Sequence, residues 1–124
     1  MLYRSRLLIA LAAPVAWAAV APADAHARLD HASPAAGNAA RRPPREVTLW
    51  FTEKVEPAFS SVTVTNAAGN RVDDGKIAVD PHNAQELQAA LQPLAPGVYE
   101  VHWHTLSVDT HRTQGQFSFI VASG

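Results

Sequence analysis

The feature that most constrains the fold is a strict alternation of apolar and polar side chains in the segment Val98–Thr105. In an extended segment, successive side chains point to opposite sides, so this segment would have one apolar face and one polar face. The two sets are Tyr99, Val101, Trp103 and Thr105 on one side, and Glu100, His102 and His104 on the other. This period of two predicts a β-strand with one buried face.

Other runs in the chain repeat this pattern and are separated by turn residues. The further predicted strands are Glu46–Phe51, Ser61–Thr65, Lys76–Val79, Gln85–Leu91 and Gln116–Val121. Gln85–Leu91 is the weakest of them, and a helical turn is its alternative because Glu, Leu, Gln and Ala are good helix formers. Short strands with frequent turns predict an all-β fold, a Greek-key β-sandwich or small barrel of the immunoglobulin-like kind.

The first 25 residues have the pattern of a secretory signal peptide. Arg4 and Arg6 precede the apolar stretch Leu7–Val20, and Ala23-Asp24-Ala25 has the small-x-small form of a cleavage site. The apolar stretch is shorter than the roughly 20 residues that a membrane span needs. We therefore expect residues 1–25 to be removed, leaving residues 26–124 as a single domain with His26 as its first residue.

Composition excludes several functions and restricts any metal site. The chain has a formal net charge of −1, so no basic surface indicates a nucleic-acid partner. It contains no cysteine, which excludes disulfides and thiolate ligands even in an oxidising compartment. A metal ion would have to be bound through nitrogen and oxygen.

An N-terminal His26 would offer two nitrogens, its free amine and its imidazole. Near the other end of the chain, Asp109 and His111 are two residues apart and on an extended segment would point to the same side. Together these groups supply three nitrogens and one oxygen. Such a set in tetragonal geometry suits Cu(II), and zinc is the main competitor.

Three parts of the sequence resemble the CopC family of periplasmic copper-resistance proteins. His26-Ala27-Arg28-Leu29, followed by Ser33 to Gly37, is similar to the start of the mature family members. The segment Leu49–Glu56 resembles the family pattern L-x-F-[ST]-E-x-V-E. Trp103–Phe117 resembles the family's W-x-x-x-S-x-D-x-H strand and loop with its closing G-x-F strand. The similarity covers essentially all of residues 26–124.

The resemblance implies a Greek-key β-fold that binds one Cu(II) per mature chain through His26, Asp109 and His111. It also places Glu53 near the metal, where we expect it to accept a hydrogen bond rather than bind the ion. Thr110 stands where many relatives have glycine. The only methionine is Met1, so the methionine-rich Cu(I) site of some relatives is not expected.

We therefore predict a periplasmic Cu(II) carrier or buffer in copper resistance or uptake, not an enzyme. It would act as a monomer, with an inner-membrane CopD-type copper transporter as its possible partner. The alternative is a copper oxidase with an N-terminal histidine brace, as in polysaccharide monooxygenases. A third alternative is an immunoglobulin-like interaction module without metal. His102 and His104 could form an accessory metal pair, but an exposed or half-buried strand face is the preferred interpretation.

Overall fold

The protein is a β-sandwich of two four-stranded sheets. The computed structural model of the chain describes residues 27–123. Its strands are β1 (Leu29–Ser33), β2 (Ala39–Ala40), β3 (Glu46–Phe51), β4 (Ser61–Asn66), β5 (Ala78–Asp80), β6 (Asn83–Ala90), β7 (Gly97–Leu106) and β8 (Arg112–Val121). A short 3₁₀ turn, Pro57–Phe59, precedes β4. This architecture confirms the predicted all-β fold.

Each sheet combines strands from distant parts of the sequence. The first sheet has the order β1-β3-β6-β5, and its neighbouring strands are antiparallel. The second has the order β2-β8-β7-β4, with β2 parallel to β8 and the other pairs antiparallel. Strand β7 therefore lies between β4 and β8, with hydrogen-bonded neighbours on both sides.

The core forms where the apolar faces of β3 and β7 meet between the sheets. Leu49 and Val101 are fully buried, and the ring of Phe51 contacts that of Trp103 edge-on, with centroids 5.2 Å apart. Burying side chains of this size stabilises a fold by about 1.5–3 kcal/mol each. The alternation in Val98–Thr105 thus correctly predicted which side of β7 faces the core.

The structure decides the ambiguous segment in favour of a strand. Gln85–Leu91 falls almost entirely in β6, which pairs with both β3 and β5, so the helical alternative is wrong. Leu87 and Ala89 are fully buried and the residues beside them are not, as a strand requires. The strand predicted at Lys76–Val79 is present but begins two residues later, at Ala78.

Strands β1 and β2 were not predicted. β1 has a register irregularity between Leu29 and His31, which interrupts the alternation that marks a strand. β2 is two residues long and carries no pattern. Over residues 27–123, no helix has the length and apolar character to cross a membrane.

Candidate metal centre

The predicted ligands Asp109 and His111 lie in the tight loop of residues 107–111 that joins β7 to β8. The loop is closed by backbone hydrogen bonds: Ser107 N–H donates to the His111 carbonyl at 2.9 Å, and Thr110 N–H donates to the Ser107 carbonyl at 2.9 Å. Thr110 has a φ of 72°, in the left-handed region that a β-branched residue rarely adopts. Thr110 therefore stands in place of the glycine of many relatives at a position whose positive φ favours glycine.

The loop brings the two predicted ligands together. His111 Nδ1 lies 3.3 Å from Asp109 Oδ2, and both side chains reach solvent. Ligands bound about 2.0–2.1 Å from one ion stand about 2.9 Å apart at a right angle and about 3.4 Å apart at the tetrahedral angle. The pair thus fits neighbouring positions around one ion. The two side chains come together because the chain turns at this loop. The sequence argument had instead assumed an extended segment.

Ser107 fixes the position of both residues. It is 1% exposed, and its hydroxyl oxygen accepts a hydrogen bond from His111 N–H at 3.2 Å. Its hydroxyl hydrogen can be donated to the Asp109 carboxylate. The hydrogen bond from Ser107, followed by the hydrogen bond and the charge of His111, holds the pKa of Asp109 below its usual range. The carboxylate is therefore ionised, as a metal ligand must be.

The first described residue, Ala27, is tied to the start of β8. Thr113 donates a hydrogen bond from Oγ1 to the Ala27 carbonyl at 2.7 Å, and Ala27 is fully buried. Arg28 and Thr52 exchange two hydrogen bonds, from Arg28 N–H to Thr52 Oγ1 at 2.9 Å and from Thr52 N–H to the Arg28 carbonyl at 2.8 Å. The start of the described chain is thus hydrogen-bonded to Thr113, two residues beyond His111.

The segment that carries Glu53 runs beside the same loop. Val108 N–H donates to the carbonyl of Lys54 at 3.0 Å, and Glu56 N–H donates to the carbonyl of Leu106 at 2.7 Å. Glu53 itself is exposed. Three segments that are distant in sequence therefore meet at this end of the sandwich.

The structure does not test whether the predicted residues bind a metal ion. His26, like the predicted signal peptide, lies outside the described residues. Within residues 27–123, no three His, Asp or Glu side chains are placed so that they could already hold one metal ion. Asp109 and His111 supply one oxygen and one nitrogen, so a stable site needs further ligands.

Comparison with known proteins identifies the family of this chain. The CopC domain model matches residues 29–122. The chain belongs to the CopC family. Protein YobA of Escherichia coli strain K12 is 36% identical over 119 residues, which cover 93% of this chain and 88% of YobA.

Two other CopC relatives have names that refer to copper or to the family. Copper resistance protein C of Xanthomonas campestris pv. juglandis is 34% identical over 109 residues, covering 83% of this chain and 85% of that protein. The crystal structure of CopC from Methylosinus trichosporium OB3b superimposes with a TM-score of 0.74 and 33% identity. That match covers 78% of this chain and 94% of the crystal structure's chain.

Two further histidines of this CopC domain, His31 and His82, lie on its surface. His31 is exposed, stacks on Trp50 with ring centroids 4.3 Å apart, and has its Nδ1 2.6 Å from the carboxylate of Asp30. His82 is exposed between β5 and β6.

Sequence reasoning missed the residues that hold this end of the sandwich together. Ser107, Thr52 and Thr113 all fall inside the CopC motif segments but were given no role. Each acts through a side-chain hydroxyl that contacts backbone distant from it in sequence or across a turn. The motif serine two residues before Asp109 was the available signal for the first of them.

Proposed function

We propose that this CopC domain is a periplasmic Cu(II) carrier or buffer in copper resistance or uptake. Its primary site would use the amine and imidazole of His26, the carboxylate of Asp109 and the imidazole of His111, with Glu53 close by as a hydrogen-bond acceptor. The name of the Xanthomonas relative, copper resistance protein C, supports the role in copper resistance. Delivery to a CopD-type membrane transporter belongs to the same proposal.

One observation carries the proposal: the hydrogen bond from Thr113 to the carbonyl of Ala27. His26 is bonded to Ala27, and consecutive Cα atoms are about 3.8 Å apart. The hydrogen bond therefore brings the point of attachment of His26 to the end of the sandwich that carries the Asp109–His111 pair. This supports a site assembled from both ends of the mature sequence.

The donor set favours holding the ion over turnover. One amine, two imidazoles and one carboxylate fill four positions around Cu(II), which prefers tetragonal N,O coordination. A copper oxidase needs a position open to its co-substrate, and Asp109 would occupy that position. We therefore propose a binding function without catalysis.

The position of the mature N-terminus provides the sharpest test. Protein beginning at His26 is compared with protein that has one methionine before His26, using competition with a Cu(II) chelator. The extension acylates the nitrogen of His26 and removes it as a ligand. We expect Cu(II) affinity to fall by more than the roughly 10–100-fold typical of losing a group outside the coordination sphere.

The matched control carries one extra methionine after Gly124, and its affinity should equal that of the unextended protein. Equal affinity of the N-terminally extended protein would contradict the proposed site. Native mass spectrometry of the unextended protein gives the number of tightly bound ions. Reductant-dependent oxidation of a polysaccharide by the copper-loaded protein would instead favour the oxidase.

A further inference from the structure

The outward face of β7 carries three potential metal ligands at alternate positions: Glu100, His102 and His104. β7 is hydrogen-bonded on both sides, to β4 and to β8, over this whole stretch. The spacing of residues two apart along it is therefore fixed at about 6.6–6.8 Å. A rigid strand presents the three side chains to the same region of solvent.

The first two of these side chains already lie at a suitable separation. His102 Nε2 is 3.3 Å from Glu100 Oε1, close to the roughly 3.4 Å that separates two ligands of one tetrahedral ion. The side chains are 38% and 43% exposed, so an ion reaches them without rearrangement of the core. The same separation occurs between Asp109 and His111 in the loop.

His104 completes the row and shares a shallow surface depression with His102. Its exposed ring does not converge with the other two groups in the structure. Rotation about its side-chain bonds is open to it because the ring projects into solvent. His104 lies two positions from His102, so its ring can bind an ion held by His102, whereas the Cα atoms of Glu100 and His104 are about 13 Å apart along the strand, too far for both side chains to reach one ion.

Directly across the strand none of the three residues faces a positive charge, but Arg112 lies beside His104 at the end of the row, where both line one depression. Each is flanked on β4 and on β8 by an uncharged polar residue directly across the strand. These neighbours are Thr65 and Ser118 beside Glu100, Thr63 and Gln116 beside His102, and Ser61 and Gln114 beside His104. A divalent cation bound at Glu100 and His102 would meet neutral hydroxyl and amide groups on both sides, whereas one bound at His104 would also lie near Arg112.

We propose that His102, with Glu100 or His104 as its partner ligand, forms a second, weaker binding site for a divalent transition-metal ion, separate from the loop that carries Asp109 and His111. Imidazole and carboxylate ligands suit both Cu(II) and Zn(II), and Cu(II) binds more tightly to a given site of this kind. This site needs neither the free amine of His26 nor a particular processing point. It is thus independent of the primary site.

Cu(II) titration of the protein beginning at His26, followed by native mass spectrometry and amide NMR, tests this proposal. We expect a second equivalent to bind after the first and to broaden the amide signals of Thr63 and Gln116 through its paramagnetism. The His102→Gln/His104→Gln variant should lose the second equivalent and keep the first with unchanged affinity.

The matched control is His82→Gln, which removes an exposed histidine in a distant loop and should still bind two equivalents. Zn(II) titration of an Asp109→Ala/His111→Ala variant measures the β7 site with the loop pair removed, and one equivalent is expected. Unchanged stoichiometry in the His102→Gln/His104→Gln variant, or broadening confined to the 107–111 loop, would overturn the second site. Neither result would affect the primary site.

Discussion

At the scale of single residues, the loop depends on the hydroxyl of Ser107. This group contacts Asp109 and the backbone of His111 at once. We predict that Ser107→Ala lowers Cu(II) affinity by about 10–100-fold, the usual effect of losing a group that orients metal ligands. The pKa of Asp109 should also rise, because the largest influence lowering it is removed. Chelator competition and carboxyl NMR titration measure the two effects.

Ser118→Ala is a suitable control for this prediction. Ser118 is exposed on β8 and pairs with Glu100 on β7, outside the 107–111 loop. The control should bind Cu(II) like the wild type. If Ser107→Ala also bound Cu(II) with wild-type affinity while remaining folded by circular dichroism, the positioning role of Ser107 would be refuted.

The sequence could predict the pair Asp109 and His111 but not the reason for their convergence. Their spacing and the CopC resemblance identified the residues, whereas the close approach comes from a turn with Thr110 at positive φ. The alternation of apolar and polar residues does not predict a turn of this kind, and Thr is not among the residue types that favour it. The hydroxyl contacts of Thr52 and Thr113 join distant segments, so no local pattern could show them.

At the scale of elements, alternation succeeded where a strand has one buried and one open face. β7 is such a strand, and its inward and outward residues were separated correctly. In β3 the rule is incomplete, because Thr48 lies on the outward side and is still only 5% exposed. Thr48 pairs with Ser33 on β1 and with Gln88 on β6, so neighbouring strands cover it on both sides.

The contact between β7 and β8 gives a prediction at the same scale. A Cβ atom on Gly115 would lie 2.5 Å from Cζ2 and 2.7 Å from Cε2 of Trp103, whose ring packs against Phe51 of the other sheet. Gly115→Ala must therefore displace the indole. We predict a loss of about 1–3 kcal/mol in the free energy of unfolding, the typical cost of overpacking. Urea denaturation followed by tryptophan fluorescence measures it.

Gln116→Ala, at the next position of β8, changes an exposed side chain and should stay within about 0.5 kcal/mol of the wild type. The comparison separates the steric effect at Trp103 from a general effect of substituting β8. Equal stability of the Gly115→Ala and Gln116→Ala variants would show that the indole can move without cost.

At the scale of the whole molecule, the segment around Asp73 connects the two sheets. Asp73 forms an isolated bridge with Leu91, next to β6 of the first sheet. Its buried carboxylate accepts a hydrogen bond from Val64 N–H of β4, in the second sheet, at 3.0 Å. Arg71 and the N–H of Gly75 donate to the same carboxylate. One ionised side chain thus stabilises a connection between the layers of the sandwich.

This connection should make the stability of the domain sensitive to acid. Burial alone would raise the pKa of Asp73, but the hydrogen bonds from Arg71, Val64 and Gly75 outweigh it and hold the pKa below its usual range. A carboxyl group with a lowered folded-state pKa stabilises the fold above its unfolded pKa, near 3.9. That contribution is lost as the pH falls through the folded-state value.

We predict that Asp73→Asn lowers the free energy of unfolding by about 1–3 kcal/mol at pH 7, because an amide cannot accept all of these hydrogen bonds. The difference from the wild type should begin to shrink at about pH 4, where the carboxyl of the unfolded chain becomes neutral, and should shrink further as the pH falls towards the lower folded-state pKa of Asp73. Urea denaturation between pH 7 and pH 3 measures both quantities.

Asp74→Asn is the control for this prediction. Asp74 is exposed and accepts a hydrogen bond from the N–H of Lys76, so the effect of Asp74→Asn on the free energy of unfolding should be small throughout. If the free energies of unfolding of Asp73→Asn and the wild type differed by a constant amount across this pH range, the charge of Asp73 would not stabilise the connection between the sheets.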